Sequence, residues 1–167
     1  MELMELIEEF FSPSSLSQVM EGYEAREGQR VMAREVARGA DAVDGVSATL
    51  LSASAAGIED LLACDGIVIG SPEYFGYMAG MVKDFFDRTY EPARGRREVF
   101  RKPYGVFISA GNDGSGALRS IERICLGYPF KKVLEPLVAV GCVDESVLSR
   151  CRELGMTIAA GCEAGIY

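Results

Sequence analysis

Residues 66–89 read GIVIGSPEYFGYMAGMVKDFFDRT, and this stretch decides the fold. It begins with a short apolar run, Gly66–Gly70, of the kind that forms a buried parallel strand. A Gly-Ser-Pro break follows, and apolar residues then recur at helical spacing: Met78, Met81, Val82, Phe85 and Phe86. That spacing predicts an amphipathic helix over Tyr77–Thr89, with Phe85 and Met81 fully buried. A buried strand that leads directly into such a helix predicts an α/β fold.

The same alternation of strand and helix continues along the chain. Further strands are predicted over Val46–Leu51, Tyr104–Ser109 and Val133–Val140. Because Pro136 interrupts the last of these, that strand suits the edge of the sheet. Helices are predicted over Gly28–Ala40 and Ala56–Ala63. A further helix follows the predicted strand Tyr104–Ser109, with an apolar face formed by Leu118, Ile121, Ile124 and Cys125. The last helix begins after a cap at Asp144, and its apolar face consists of Val147, Cys151, Leu154 and Ile158. Together these elements predict a three-layer, doubly wound parallel sheet with helices on both faces.

The first 23 residues form an atypical N-terminal segment of what we interpret as one domain over residues 1–167. Met1–Phe11 carries acidic residues and an apolar face, which indicates an extra amphipathic helix. Ser17–Tyr23 stands where a strand should precede the first βα unit, but it is too polar for a strand covered on both faces. A continuous helix from Ser15 to Ala40, bent at Gly22 and Gly28, is the alternative interpretation.

Composition excludes several classes of function. The net charge of −8 argues against nucleic acid and anionic membranes as partners, since both attract basic surfaces. The N-terminus is acidic where a secretory signal would be basic, so we expect a cytoplasmic protein. The composition leaves open whether the protein is a monomer or a homodimer. There is no histidine, which excludes Ser-His-Asp and Cys-His catalysis. Five cysteines without a C-x-x-C motif favour buried, reduced thiols over a disulfide framework or a zinc site.

Two loops follow predicted strands, where ligands bind in open parallel sheets. The first is Gly70–Tyr77, whose aromatic rings suit contact with a planar heterocycle. The second is Ser109–Gly114, whose glycines let the backbone approach a ligand closely. Because both loops lie at the carboxyl ends of their strands, they predict one shared site.

At this point the sequence resembles a known family. Gly70–Thr89 is similar to the signature of flavodoxin-like proteins of the NAD(P)H-dependent FMN reductase and quinone reductase group, which runs G-x-P-x-Y, then Gly, then K-x-F-x-D-R. The stretch 109–116 resembles their loop after the fourth strand. The resemblance implies a flavodoxin-like sheet of order 2-1-3-4-5 and FMN as cofactor. By this resemblance, the residues along the isoalloxazine ring and the ribityl chain are Ser71, Pro72, Glu73, Tyr74, Phe75 and Gly76. The residues along the polar edge of the ring are Ser109, Gly111, Asn112, Asp113 and Gly114.

The chain departs from this family at the phosphate loop. Relatives have a loop of the type S-x-T-G-N-T, whose hydroxyls and amides hold the FMN phosphate. Here no Ser or Thr occurs between Ser17 and Ser47, and two glutamates, Glu24 and Glu27, would repel a phosphate. The remaining candidates for this role are Arg26, Gly28, Gln29 and Arg30. We therefore expect weaker FMN binding than in relatives with a complete loop.

The leading functional hypothesis is an FMN oxidoreductase that passes electrons from NAD(P)H to a quinone or similar small-molecule acceptor. The alternatives are an electron-carrier flavodoxin and a flavin-free interaction module with a degenerate phosphate loop. No side chain is assigned a catalytic or metal-binding role. The basic loop Arg94–Lys102 is either solvated or contacts a nicotinamide 2′-phosphate or a neighbouring subunit.

Overall fold

The computed structural model describes residues 27–167. Arg26, Met1–Phe11 and Ser17–Tyr23, with the predictions made for them, lie outside the described residues. In chain order the elements are α1 (Glu27–Asp41), α2 (Ile58–Ala63), β1 (Ile67–Tyr74), β2 (Tyr77–Met78), α3 (Gly80–Ala93), β3 (Pro103–Ala110), α4 (Ser115–Gly127), β4 (Lys131–Lys132), β5 (Leu137–Val140) and α5 (Glu145–Glu163).

The sheet is mostly parallel, as the sequence predicts. β3 is parallel to β1 on one side and to β4 and β5 on the other, with Ile69 opposite Val106 and Phe107 opposite Leu137. Of the strand predicted over Val133–Val140, only Leu137–Val140 forms a strand, and Pro136 lies in the break between β4 and β5, because proline has no amide to donate to a ladder. Within the described residues β4 and β5 both pair only with β3, as an edge position requires. A short antiparallel strand, β2, pairs with the end of β1 and makes the sheet mixed.

The strand predicted over Val46–Leu51 is wrong. This stretch has no ladder partner in the described part of the chain, and Leu50 and Leu51 are exposed. A strand requires hydrogen bonds to a neighbour, and apolar character alone does not supply them. The described sheet therefore contains the third, fourth and fifth positions of the expected 2-1-3-4-5 order, occupied by β1, β3 and β5.

Helices cover both faces of the sheet. α2, α3 and α4 pack on one face, in a core that includes Leu61, Phe86 and Ile121. α1 and α5 pack on the other face, with Met32 and Cys151 fully buried. The cap on α5 is also as predicted, because the Asp144 carboxylate accepts a hydrogen bond from the Val147 amide at 3.0 Å. Both layers bury apolar stripes, which is what positions the ends of β1 and β3 rigidly.

α3 starts later than predicted, and this changes which residue is buried. Phe85 is buried as expected, but Met81 is 51% exposed, so its predicted full burial is wrong. Tyr77 and Met78 belong to β2, and Met78 is the methionine that enters the core. Met81 lies in the first turn of α3, at the margin of the buried stripe and beside the exposed β1–β2 hairpin.

The cysteines divide between core and surface. Cys125 and Cys151 are buried, and burial raises the pKa of their thiols to about 12 and about 11. Cys142 is exposed, which contradicts the expectation that the thiols are buried.

Candidate functional site

The predicted Gly70–Tyr77 loop is a β-hairpin rather than an irregular loop. β1 continues through Ser71–Tyr74, and the chain turns back at Phe75–Gly76, with Tyr74 paired to Tyr77. Phe75 and Gly76 have φ of 51° and 72°, and positive values at both positions are those of a type I′ turn, one of the two turns common in two-residue hairpins. The aromatic residues are therefore presented on a short, hydrogen-bonded element with a fixed conformation.

Ser71 holds the hairpin against the start of α3. Its side chain is buried, its hydroxyl accepts a hydrogen bond from the Ala79 amide at 2.9 Å, and it donates to the Pro72 carbonyl at 2.7 Å. Both bonds are internal to the protein. Ser71 thus positions the loop that sequence resemblance assigns to the flavin, while the neighbouring Pro72 is half-buried.

Glu73 joins the first loop to the second. Its Oε2 accepts a hydrogen bond from the Ala117 amide at 3.0 Å, in the first turn of α4. A carboxylate at this position also compensates the positive end of the helix dipole. Beside this bond the backbones nearly touch, since a Cβ on Gly116 would lie 2.0 Å from the Gly76 carbonyl oxygen. The structure therefore brings the two predicted loops together.

The second loop carries its own polar contacts. Gly111, Asn112 and Asp113 are exposed, while Ser109 is half-buried opposite Pro72 in the sheet register. Asp113 accepts hydrogen bonds from the Ser115 amide at 3.0 Å and the Ser115 hydroxyl at 2.9 Å. These bonds hold the pKa of the Asp113 carboxyl below its ordinary value of 3.8. Gly114 adopts a φ of 71° and caps α4, so the loop leads directly into that helix.

Open space lies beside several glycines at this edge of the sheet. A Cβ added to Gly76, Gly80, Gly111 or Gly141 would meet no atom within 4 Å. Gly80 and Gly111 also lack the positive φ that requires glycine, so neither packing nor conformation within the described chain explains them. The rings of Tyr74, Phe75 and Tyr77 are exposed nearby on the hairpin. This combination of open backbone and exposed aromatic surface fits a flat heterocycle such as the isoalloxazine ring.

The start of α1 lies at the same edge. A Cβ on Gly28 would lie 3.1 Å from the Val143 side chain, and Val143 follows β5 closely. Gln29 is half-buried and Arg30 is exposed, while Glu27 pairs with Arg34 at 3.6 Å. Helix N-termini offer free amides to anions, but no hydroxyl side chain occurs in α1 and its first turn is acidic. The described residues at this edge therefore fit the flavin ring well and a phosphate poorly.

The basic loop lies at the opposite edge. Arg94–Lys102 comes just before Pro103, the first residue of β3, so it is at the amino end of the strands. An eight-residue strand spans roughly 25 Å, which separates these arginines from the hairpin. This placement disfavours contact between them and a nicotinamide 2′-phosphate beside the flavin ring. Lys102 is buried, and its ammonium donates to the Cys64 carbonyl.

Residues 27–167 contain neither a membrane-spanning helix nor a metal site. No helix in this range has both the length and the apolar character needed to cross a bilayer. No group of three or more Cys, Asp or Glu side chains in it could hold a metal ion.

The structure resembles solved flavodoxins. It superposes on a flavodoxin from the domain Archaea with a TM-score of 0.70, covering 84% of this chain and 94% of that one at 17% sequence identity. Identity this low supports the fold alone. The molecule accordingly has a flavodoxin-like α/β architecture.

Sequence relatives are partial in coverage. The chain is 32% identical over 119 residues to a flavodoxin of Aquifex aeolicus, covering 69% of this chain and 63% of the relative. It is 31% identical over 106 residues to a probable NAD(P)H dehydrogenase (quinone) of Arabidopsis thaliana, covering 51% of this chain and 38% of the relative. The chain thus matches less than two thirds of the length of either protein.

A family model gives the assignment. The model described as NADPH-dependent FMN reductase matches residues 49–141, more than half of the chain. The matched range contains the β1–β2 hairpin and the loop Ser109–Gly114, which we call the glycine loop. It also contains the two contacts that join the hairpin to the first turn of α4, directly after that loop. We conclude that the chain belongs to the NADPH-dependent FMN reductase family, a membership that indicates FMN as its cofactor.

Proposed function

We propose that this protein is a flavin oxidoreductase that passes electrons from NAD(P)H to a quinone or a similar small-molecule acceptor. One observation carries the proposal. The hairpin and the glycine loop lie side by side at the carboxyl edge of the sheet, held by the Glu73–Ala117 hydrogen bond, with open space beside Gly111. Family membership and the Arabidopsis relative support the nicotinamide and quinone parts of the proposal.

The flavin ring would lie between the exposed aromatic surface of the hairpin and the backbone of the glycine loop. Tyr74, Phe75 and Tyr77 offer ring faces for contact with a planar heterocycle. Gly111 and Asn112 offer backbone amides and a carboxamide to its polar edge. When bound, FMN supplies the hydride and electron chemistry, which this histidine-free chain does not need to supply.

The protein's own contribution is a preorganised site. Ser71 and Glu73 fix the hairpin through the amides of Ala79 and Ala117, so the aromatic rings and the loop amides hold their positions without rearrangement. Amide donors fixed in this way stabilise negative charge at the polar edge of a reduced ring more effectively than mobile water does. The exposed hairpin also reduces the access of water to one side of the ring.

Among the described residues, those at the start of α1 would contact the phosphate. Gly28 and Gln29 offer amides of the first helical turn, and Arg30 offers a guanidinium. Glu27 lies in the same turn and opposes a dianion. We therefore propose that the ring carries most of the affinity for FMN.

An electron carrier is the second candidate. The net charge of −8 and the Aquifex relative named flavodoxin favour it. An acidic surface would steer such a carrier toward basic redox partners. The two candidates share the flavin site and differ only in whether NAD(P)H reduces it directly.

The test starts with purified full-length protein titrated with FMN, followed by the flavin visible spectrum and fluorescence. The loaded protein is then mixed anaerobically with NADH or NADPH, and bleaching of the flavin band is recorded before and after adding a soluble benzoquinone. The Arg97→Ala variant is the matched control, since Arg97 lies at the opposite edge of the sheet.

We expect flavin to bind, NAD(P)H to bleach the band and quinone to restore it. Bound flavin that only a chemical reductant bleaches would favour the carrier. Failure to bind either FMN or riboflavin would overturn both candidates and leave the flavin-free interaction module.

A further inference from the structure

A basic and apolar groove lies at the amino edge of the sheet, away from the flavin site. Two adjoining cavities of about 340 and 370 Å³ share Phe100 and Pro129 as lining residues. We call them together the arginine groove, defined by Arg94, Arg96, Arg97, Phe100, Arg101 and Leu126. Its length across two cavities suits an extended or helical peptide better than a single small anion.

The charge of the groove is opposite to that of the molecule. Arg94 pairs with Glu91 at 3.9 Å and Arg96 with Glu98 at 3.2 Å, both at exposed positions where such pairs contribute little. Neither Arg97 nor Arg101 forms an ion pair within the described part of the chain. A cluster of this kind on a chain of net charge −8 attracts carboxylates.

The groove also exposes large apolar side chains. Phe100 is 64% exposed and Leu126 is 77% exposed. Leu126 lies near the end of α4. The loop that carries Phe100 is held against the protein, because the Arg101 amide donates to the Pro129 carbonyl at 2.9 Å and Lys102 is buried. An occupant must therefore combine several carboxylates with large apolar side chains, and it meets a surface that is already formed.

This chain contains such a sequence. Met1–Phe11 reads MELMELIEEFF, with four glutamates, no lysine or arginine, and apolar residues at helical spacing. We propose that Met1–Phe11 docks intramolecularly into the arginine groove, with its glutamates facing the arginines and its apolar residues covering Phe100 and Leu126. The proposal does not depend on flavin binding.

The length of the connecting chain permits this docking. Residues 12–26 join Phe11 to Glu27, the first residue of α1 at the carboxyl edge. Extended, these residues reach up to about 50 Å, roughly twice the length of β3 that separates the two edges. A connection of this kind gives the segment an effective concentration at the groove on the order of 1 mM. If the separate segment bound the groove with a dissociation constant of about 0.1 mM, the docked state would be about tenfold more populated than the undocked state.

Hydrogen exchange measured by mass spectrometry tests the proposal in the full-length protein. The amides of Val99, Phe100, Arg101 and Lys102 are all bonded internally, so they exchange through local opening, which a docked segment suppresses. Removing residues 1–11 should accelerate exchange over residues 94–102 by about tenfold. Adding the free peptide MELMELIEEFF at millimolar concentration should restore protection, and the same peptide with all four glutamates replaced by glutamine should not.

Charge reversal provides a test that keeps the chain length constant. Arg97→Glu with Arg101→Glu should give the same loss of protection, and combining it with Glu5→Arg and Glu9→Arg should restore it. Arg150→Glu, an exposed arginine on α5, is the matched control and should change nothing. Unchanged exchange after removal of residues 1–11 would overturn the proposal. Protection that depends on protein concentration would also overturn it, because the segment of a second copy would then occupy the groove.

Discussion

Two regions at the carboxyl edge of the sheet differ in how completely they are built for a flavin. The ring region consists of the β1–β2 hairpin and the glycine loop, joined by the bond from Ala117 to Glu73 and the contact of Gly76 with Gly116. The phosphate region is the first turn of α1, with an acidic residue at its start and no hydroxyl side chain in the helix. A ring is recognised by shape and backbone donors, a phosphate by charge and hydroxyls. Affinity for the ring and preference for FMN over riboflavin are therefore separable here.

The largest expected effect concerns the core beneath the ring region. Phe85→Ala should cost about 3–5 kcal/mol of unfolding free energy, because Phe85 is buried against Phe86 and a cavity would remain. Met81→Ala, one turn earlier on the same helix, should cost less than about 1 kcal/mol since Met81 is half exposed. Urea unfolding of both variants measures the difference. Similar losses for the two would show that α3 packs in a different rotation.

The next effect separates the two loops of the ring region. Glu73→Ala removes a charged acceptor from the Ala117 amide, and such bonds contribute about 1.5–3 kcal/mol, with half-burial favouring the lower end. Glu73→Gln keeps an acceptor and should lose less. Flavin affinity should fall with stability across this pair, while the FMN-to-riboflavin ratio stays constant. A ratio that changes would mean that Glu73 acts on the phosphate rather than on the loop.

Much of the fold follows from local pattern, and its exceptions have identifiable physical reasons. Gly66–Gly70 and Tyr104–Ser109 were recognisable as strands because both faces are apolar, and α5 was recognisable from its cap and spacing. Val46–Leu51 also carries apolar residues, but it has no ladder partner among residues 27–167, and pairing is a property of the sheet rather than of the segment. The turn at Phe75–Gly76 was missed because a bulky residue at positive φ gives no sequence signal.

The site was predictable in its place but not in its internal contacts. Parallel strands bring their carboxyl ends to one edge, so two loops that follow strands were expected to meet. Which polar residues face inward depends on side-chain geometry that spacing does not encode. The resemblance assigns Ser71 and Glu73 to the ligand, and it gives no sign that both side chains bond to backbone amides of the protein, as the structure shows. The sequence also does not indicate which of its many glycines allow close backbone contact, so the approach of Gly116 to Gly76 could not be predicted.

A smaller effect tests the open space beside the glycine loop. Gly111→Val should weaken flavin binding about tenfold, because the side chain enters space that no protein atom occupies and would crowd the ring edge. Stability should be unchanged for the same reason. Arg97→Ala should leave flavin affinity unaltered, and fluorescence titration of the two variants compares their affinities directly. Equal losses of flavin affinity would place the ring elsewhere.

The smallest expected effect is the contribution of the phosphate. Charge-assisted hydrogen bonds to an anion contribute roughly 1.5–3 kcal/mol each, so losing two of them weakens binding about 100-fold or more. The first turn of α1 has no hydroxyl and includes Glu27, which repels a dianion. FMN should therefore bind less than about tenfold more tightly than riboflavin, which has no phosphate to place.

Side-by-side fluorescence titrations of the two flavins measure this ratio, and one variant sharpens it. Replacing Glu27 and Gln29 with threonine removes the opposing carboxylate and adds two hydroxyls at the helix start, the donors that phosphate sites use. Affinity for FMN should rise and affinity for riboflavin should stay the same, because the ring region is untouched. If the unmodified protein already binds FMN orders of magnitude more tightly than riboflavin, then Gly28, Gln29 and Arg30 form a working phosphate site, and the contrast between the two regions fails.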